Sequence, residues 1–289
     1  MKYLKKFKIF LCFAIFGLLV PLPISAESID EDYEIFTISE YEHILNRLKR
    51  YDVSTYLLLS EEEYIEMLEL ENLKKECIEN IYEQKKLSKE ELLAFNYSSA
   101  QIQAIKNFDG SDEMAILASP TVSVTTSILS RTAIKHGVQF RWSWSGRPTL
   151  AGILIIDDVA VRWKTCNPNA VNLNTYVTAG TSLVVDYGSF TRIISYTSHN
   201  TTQALEGEFN MEWGEGSTLG WAQGGTFEVY VTLPTGTIAT MANTVFEFMY
   251  GHTTIQSDGV SFSFPVSGGI TLVEGSKMCY KEVEVVYQS

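Results

Sequence analysis

Between Gln203 and Trp213 the chain reads QALEGEFNMEW, and oxygen-bearing side chains recur at every second position: Glu206, Glu208, Asn210 and Glu212. Alternate residues of an extended chain share a face. These four would line one side of a strand, and Leu205, Phe209, Met211 and Trp213 the other. Two carboxylates on one sheet face can serve a glycosidase, one as acid and one as nucleophile or base. Several oxygen ligands together also suit Ca²⁺. The competing reading is the solvent face of an edge strand, where charge discourages pairing with other chains. Because the β-rich region is short for a hydrolase with a long cleft, catalysis by Glu206, Glu208 or Glu212 stands as the alternative.

Other residue types add less chemistry. Trp142, Trp144, Trp163, Trp213 and Trp221 could stack on sugars, but large aromatics are first of all core residues. Trp221 is the exception expected at the surface, because it sits in the glycine-rich run Gly216–Gly225. His43, His136, His199 and His252 are scattered, with no short-range pair of metal ligands. There is no G-x-S-x-G elbow. Asp157-Asp158 reads as a strand cap or turn, with Ca²⁺ as its other use. No cofactor is required by any motif.

The elements that must position these groups fall into two parts. Residues 27–118 hold 22 acidic and 9 basic residues, and four serines there precede Glu or Gln by three positions: Ser39/Glu42, Ser60/Glu63, Ser88/Glu91 and Ser98/Gln101. In such a capping box each residue satisfies the other's free backbone donor. Behind the first lie Tyr41, Ile44, Leu45 and Leu48, and behind the second Leu70, Leu73, Cys77 and Ile81, at helical spacing. Asn96 suits a left-handed helix end, and Asp109-Gly110 closes the last helix. The sequence therefore predicts a helical domain over 27–118, opening on a loose acidic leader.

After Ala118-Ser119-Pro120 the composition shifts to Thr, Ser, Val, Gly and aromatics. Val138, Phe140, Trp142 and Trp144 alternate with Gln139, Arg141, Ser143 and Ser145, as in a half-buried strand. Gly146-Arg147-Pro148 turns the chain. Eleven such runs follow one another to residue 287. The expected fold is α+β: a small N-terminal helical domain, then an antiparallel β-sandwich of jelly-roll type over 119–289. Leu233-Pro-Thr-Gly236 reads as a turn.

Lys2, Lys5, Lys6 and Lys8 precede an apolar run, Ile9–Val20, that ends in small residues at Ala26. This is the build of a secretory signal peptide over 1–26, so the mature chain is expected outside the cell, with no stable membrane span after cleavage. Its balance of 18 basic to 35 acidic residues disfavours nucleic acid and anionic lipid as partners. Three cysteines remain, Cys77, Cys166 and Cys279. Cys166 and Cys279 are the expected disulfide, since both fall in the β-rich part.

Leu87–Gly110, LSKEELLAFNYSSAQIQAIKNFDG, resembles a paired-helix segment of functionally uncharacterised secreted proteins from Gram-positive bacteria. Their pattern runs L-S-x-E-E-L, then Y-[ST]-x-x-Q-I-x-x-I-[KR]-N-[FY]-D-G, before a β-rich region with a W-x-W strand. Asn96 stands where they usually carry Gly. The resemblance implies architecture and secretion and assigns no activity. The function expected is non-catalytic recognition of an extracellular protein or glycan. A toxin-like membrane-active protein, inserting Thr226–Ile255 as a hairpin, is one alternative, and a glycoside hydrolase is the other.

Overall fold

A computed structural model describes residues 36–51, 59–149, 155–199, 203–252, 262–263, 271–272 and 277–287, with side chains omitted at 262–263, 271–272 and 277–280. The stretches expected as a signal peptide and an acidic leader, up to residue 35, and residues 253–255 lie outside these.

All four serines expected as N-caps begin helices. Strand β1 (Phe36–Ser39) leads into α1 (Glu40–Leu48), capped by Ser39. Ser60, Ser88 and Ser98 form full reciprocal boxes at α2 (Glu61–Lys86), α3 (Lys89–Ala94) and α4 (Ser99–Asn107). A further helix, α5 (Asp112–Ala118), follows the left-handed Gly110, where the sequence suggested a stop. Its cap, Ser111, has Met114 rather than an acid at the third position, so it lacks the box pattern. Tyr41, Ile44, Leu70, Leu73, Cys77 and Ile81 are buried in one apolar cluster with residues of α3 to α5.

The strands are β2 (Thr121–Arg131), β3 (Lys135–Ser145), β4 (Ile156–Cys166), β5 (Asn172–Leu173), β6 (Tyr176–Val177), β7 (Ser182–Asp186), β8 (Thr191–Ile194), β9 (Thr197–His199) and β10 (Ala204–Asn210). Then come β11 (Glu212–Glu215), β12 (Thr218–Trp221), β13 (Gly224–Thr232), β14 (Asn243–Gly251), β15 (Phe262–Ser263), β16 (Thr271–Leu272) and β17 (Lys277–Val286). Every pairing is antiparallel. One sheet runs β1-β2-β3-β13-β7-β8 with β6 on β13, and the other runs β17-β14-β4-β10-β9 with β5 on β4. Their apolar faces share one core, in which Phe140 stacks on Phe248 at 4.9 Å and Trp142 on Phe209 at 5.7 Å. The helical and strand clusters part between Ala118 and Val122, within one compact unit, Asp32–Ser289.

Long-range register overturns one expectation. Cys166 lies opposite Asn243 and Cys279 opposite Tyr250, seven residues along the same strand β14. At about 3.3 Å per residue that is roughly 23 Å, far beyond the Cα separation of about 7 Å a disulfide tolerates. Cys166 is free. In the folded chain the described part of Thr226–Ile255 divides between the two sheets. Its β13 part lies between β3 and β7 in one sheet, its β14 part between β4 and β17 in the other. Phe227, Val229 and Val231 point into the shared core.

Candidate functional site

The acidic strand comes apart. In β10, Leu205, Gly207 and Phe209 face the core, and a Cβ at Gly207 would meet the Leu183 Cδ2 methyl at 2.2 Å, so Leu183 would have to shift to admit one. Glu206 and Glu208 share the outer face as expected. The chain leaves the ladder at Met211, however, so Glu212 begins β11 in a separate two-stranded sheet and bonds the Arg147 guanidinium. Glu206 pairs with His199 at 3.1 Å. Opposite Glu208 lies Asp158, inside β4 rather than at a turn, and it is fully buried. Burial first, then the nearby Glu206 and Glu208 carboxylates, push the Asp158 pKa up to about 10. Asp158 and Glu206 meet in a geometry too poor for an ordinary hydrogen bond, yet Glu206 still favours the protonated form. This face thus holds a neutral acid beside carboxylates, the split a glycosidase needs, but no substrate oxygen reaches an acid with 0 % exposure.

Trp221 is not at the surface. It is 9 % exposed and packs in the shared core. The glycines around it make room for rings: a Cβ at Gly225 would meet the Trp142 ring at 2.2 Å, and one at Gly220 the Tyr187 carbonyl at 2.4 Å. Trp142, Trp144 and Trp163 are core residues as well. Trp213 is the half-exposed tryptophan, with the Arg192 guanidinium 3.7 Å over its ring. The histidines do not converge. His136 bonds Thr244 at 2.7 Å, His199 meets Glu206, and His252 meets Asp157. Among the described residues no three His, Cys, Asp or Glu side chains are placed to hold a metal ion.

The polar groups that do converge lie where the helices meet the sheets. Glu40 starts α1, and its amide donates to the Pro120 carbonyl at 2.8 Å, which fixes it beside β2. Its carboxylate accepts from the Thr149 amide at 3.0 Å and the Thr149 hydroxyl at 2.8 Å. On its other side His252 Nε2 stands 3.6 Å away, an ion pair. His252 Nδ1 donates to Asp157 at 2.8 Å, Tyr250 Oη donates to the same carboxylate, and Trp144 Nε1 donates to Tyr250 Oη at 2.9 Å. Glu40, Asp157 and His252 are 1 % exposed or less. Burial would lower the His252 pKa, but the flanking Asp157 and Glu40 carboxylates overcome it and raise it to about 10. At neutral pH this is an imidazolium between two anions.

The resembling motif gains a physical meaning here. Asn96 is left-handed (φ 65°), as its glycine-like position requires, and its side chain donates to the Trp144 carbonyl at 2.6 Å. The Gly146 amide donates to the Asn96 carbonyl at 3.0 Å. Gln101, the capping-box acceptor, also donates to the carbonyls of Ser119 and Ser145 at 2.9 Å each. The paired-helix segment and the W-x-W strand are thus two sides of one joint. Gly146 (φ 88°) is obligatory, because a Cβ there would meet the Tyr97 ring at 2.4 Å.

Over this joint opens a cavity of about 510 Å³. Asn80 and Gln84 of α2 with Leu87, its C-terminal cap, form one wall, Phe95 and Tyr97 the second, and Arg147, Pro148 and Thr149 the third. Thr149 joins its wall to the buried ion network, and Asn80 Nδ2 approaches the Thr149 hydroxyl at 3.4 Å. Cys77 Sγ lies 3.5 Å from that hydroxyl, but burial holds its thiol well above the usual range, so it is no nucleophile at neutral pH. Local sequence gave no sign of this site, whose parts come from four separated segments.

No family model matches the chain, and no curated protein matches it. Among solved structures it is similar to the collagen-binding subdomain of the Enterococcus faecalis surface protein ACE, with 6 % identity over 56 % of this chain and 95 % of that one, TM-score 0.26. AvmM, which catalyses macrocyclization in alchivemycin A biosynthesis, is 8 % identical over 57 % and 89 %, TM-score 0.28. The T6 backbone pilin of serotype M6 Streptococcus pyogenes is 9 % identical over 58 % and 36 %, TM-score 0.28.

Proposed function

We propose that this is a secreted, non-catalytic recognition protein. In this reading cleavage after Ala26 releases it, and a helical domain is fixed on a jelly-roll-like β-sandwich. Its partner is an extracellular protein or glycan. One observation carries the proposal: the open cavity at the helix–sheet joint has a volume within the roughly 300–1,000 Å³ of ligand sites. Its third wall is held by Thr149 on the buried Glu40–His252–Asp157 network, so it is preformed, and a preformed site spends little binding energy on ordering.

The test is to pass the mature protein over arrays of extracellular proteins and glycans, beside a Leu87→Trp variant that fills the cavity. Capture that Leu87→Trp abolishes while the melting temperature holds supports the reading. Capture indifferent to the plug, cleavage of a bound glycan, or dye release from liposomes would overturn it.

A further inference from the structure

At the end of the β-sandwich away from the helices the surface changes character. Strand β2 leaves the helices at Thr121 and reaches that end at Arg131. Residues 129–136, 164–182 and 232–244 meet there. The Leu233 amide donates to the Ile134 carbonyl at 3.2 Å, the Met241 amide to the Ala133 carbonyl at 2.8 Å and the Ala242 amide to the Cys166 carbonyl at 2.9 Å. In a chain with 35 acidic residues, these stretches contain none. They carry Arg131, Lys135 and Lys164, and among the described residues no carboxylate forms an ion pair with any of the three. Lys135 lies 4.2 Å over the Tyr230 ring, which leaves its charge in place. Glu284 borders the patch, and its carboxylate accepts from the Asn243 side-chain amide.

The same loops turn apolar side chains outward. Ile238 is fully exposed, and Ile134, Val171 and Tyr176 are 60 %, 56 % and 49 % exposed. Local bonds hold them there. The Thr237 amide donates to the Pro234 carbonyl at 3.1 Å in the turn that presents Ile238. The Asn167 side chain accepts from the Asn169 and Val171 amides at 2.9 and 3.0 Å, and the Lys135 amide donates to Thr132 Oγ1 at 3.0 Å. Exposed apolar side chains grouped in one place mark an interaction surface. Separate projecting tips, with cations a few residues behind them, suit a soft partner that is apolar inside and anionic at its rim, which describes a bilayer with anionic headgroups. A folded protein would need a hollow for each tip. The acidity of the chain as a whole does not forbid this, because salt screens exposed charges beyond about 8–10 Å.

We infer that this end of the sandwich docks on anionic lipid surfaces, with Ile238 and Ile134 entering the interface and Arg131, Lys135 and Lys164 meeting the phosphates. The inference goes beyond the recognition reading and is independent of the cavity. The test is co-sedimentation of the full mature protein with vesicles of phosphatidylglycerol and phosphatidylcholine in equal parts, beside vesicles of phosphatidylcholine alone. The mixed vesicles should bind at least about 5-fold more strongly at about 0.15 M salt, and the difference should shrink toward about 1 M. Ile238→Asp should weaken binding about 10-fold or more, because membrane affinity scales with buried apolar area. Its melting temperature should hold, since Ile238 is fully exposed. Arg131→Gln should cost about 5-fold, the share of one cation at an anionic surface. Leu87→Trp should leave vesicle binding as it is, so cavity capture and lipid docking are read apart. No binding to the mixed vesicles, or binding unchanged by Ile238→Asp and Arg131→Gln, overturns the inference. So does self-association that Ile238→Asp abolishes, seen in place of vesicle binding. Docking should leave enclosed dye inside; its release would overturn this inference together with the recognition reading.

Discussion

Asp157 and Asp158 are neighbours in β4, and both are fully buried, on opposite faces of one sheet. The period of two along a strand sends Asp157 toward His252 and Tyr250, and Asp158 toward Glu206 and Glu208. Desolvation opposes charge at both. At Asp157 an imidazolium and a phenol compensate the carboxylate, and a buried ion pair results. At Asp158 the neighbours carry the same sign, and the proton stays on. Burial alone therefore does not decide whether an acid ionises; the sign of what faces it does. The compensated acid holds the helices to the sheets, and the uncompensated one burdens an outer face.

The largest effect should come from removing the cation. His252→Leu removes the cation that Glu40 and Asp157 share, and breaking a buried pair this way costs about 3–5 kcal/mol. Urea unfolding of the two proteins measures it; a loss under about 1 kcal/mol would mean that the network does not bind the two parts together. The pH dependence has a definite sign. The folded pKa of His252 is raised, so its contribution is complete below about 6.5 and is lost as pH climbs through about 10.

In the opposite region a substitution should have the opposite effect on stability, although the pH dependence has the same sign. Asp158 also has a raised folded pKa, so the folded state keeps a proton that the unfolded state has released. Stability is lost from about pH 4 up to about 10. Asp158→Asn mimics the protonated acid at every pH. It should stabilise by roughly 1–3 kcal/mol at pH 8 and converge with the parent near pH 4. A stability loss at pH 8 would show that the carboxylate is ionised and used.

A smaller effect is expected at the joint itself. Gln101→Ala removes bonds to the Ser119 and Ser145 carbonyls, a loss of about 1–2 kcal/mol in thermal or urea unfolding. Were Gln101 merely a cap, the cost would stay near about 0.5 kcal/mol, the low end for a cap.

What the sequence disclosed was local in origin. Ser60 and Glu63, or Ser88 and Glu91, settle their bonds within one turn, so the pattern and the bond are the same fact. The alternation from Val138 to Trp144 likewise names its own buried face. The misreadings concern distance along the chain. Cys166 and Cys279 looked pairable until β14 separated them. Glycines around Trp221 suggested exposure, although they were making room for Trp142 and Tyr187. Glu40, Thr149, Asp157 and His252 come from four segments, and no spacing joins them. Asp157 carried one clue, an acid flanked by apolar strand positions, and the turn reading spent it.

The most direct measurement is the protonation of the two faces in one sample. Site-assigned ¹³C NMR of the His252 ring and the Asp158 carboxyl, near pH 8, reads both without a variant. The account predicts an imidazolium at His252, losing its proton only toward about pH 10, and a protonated carboxyl at Asp158. A neutral His252 ring and an ionised Asp158 at that pH would contradict it.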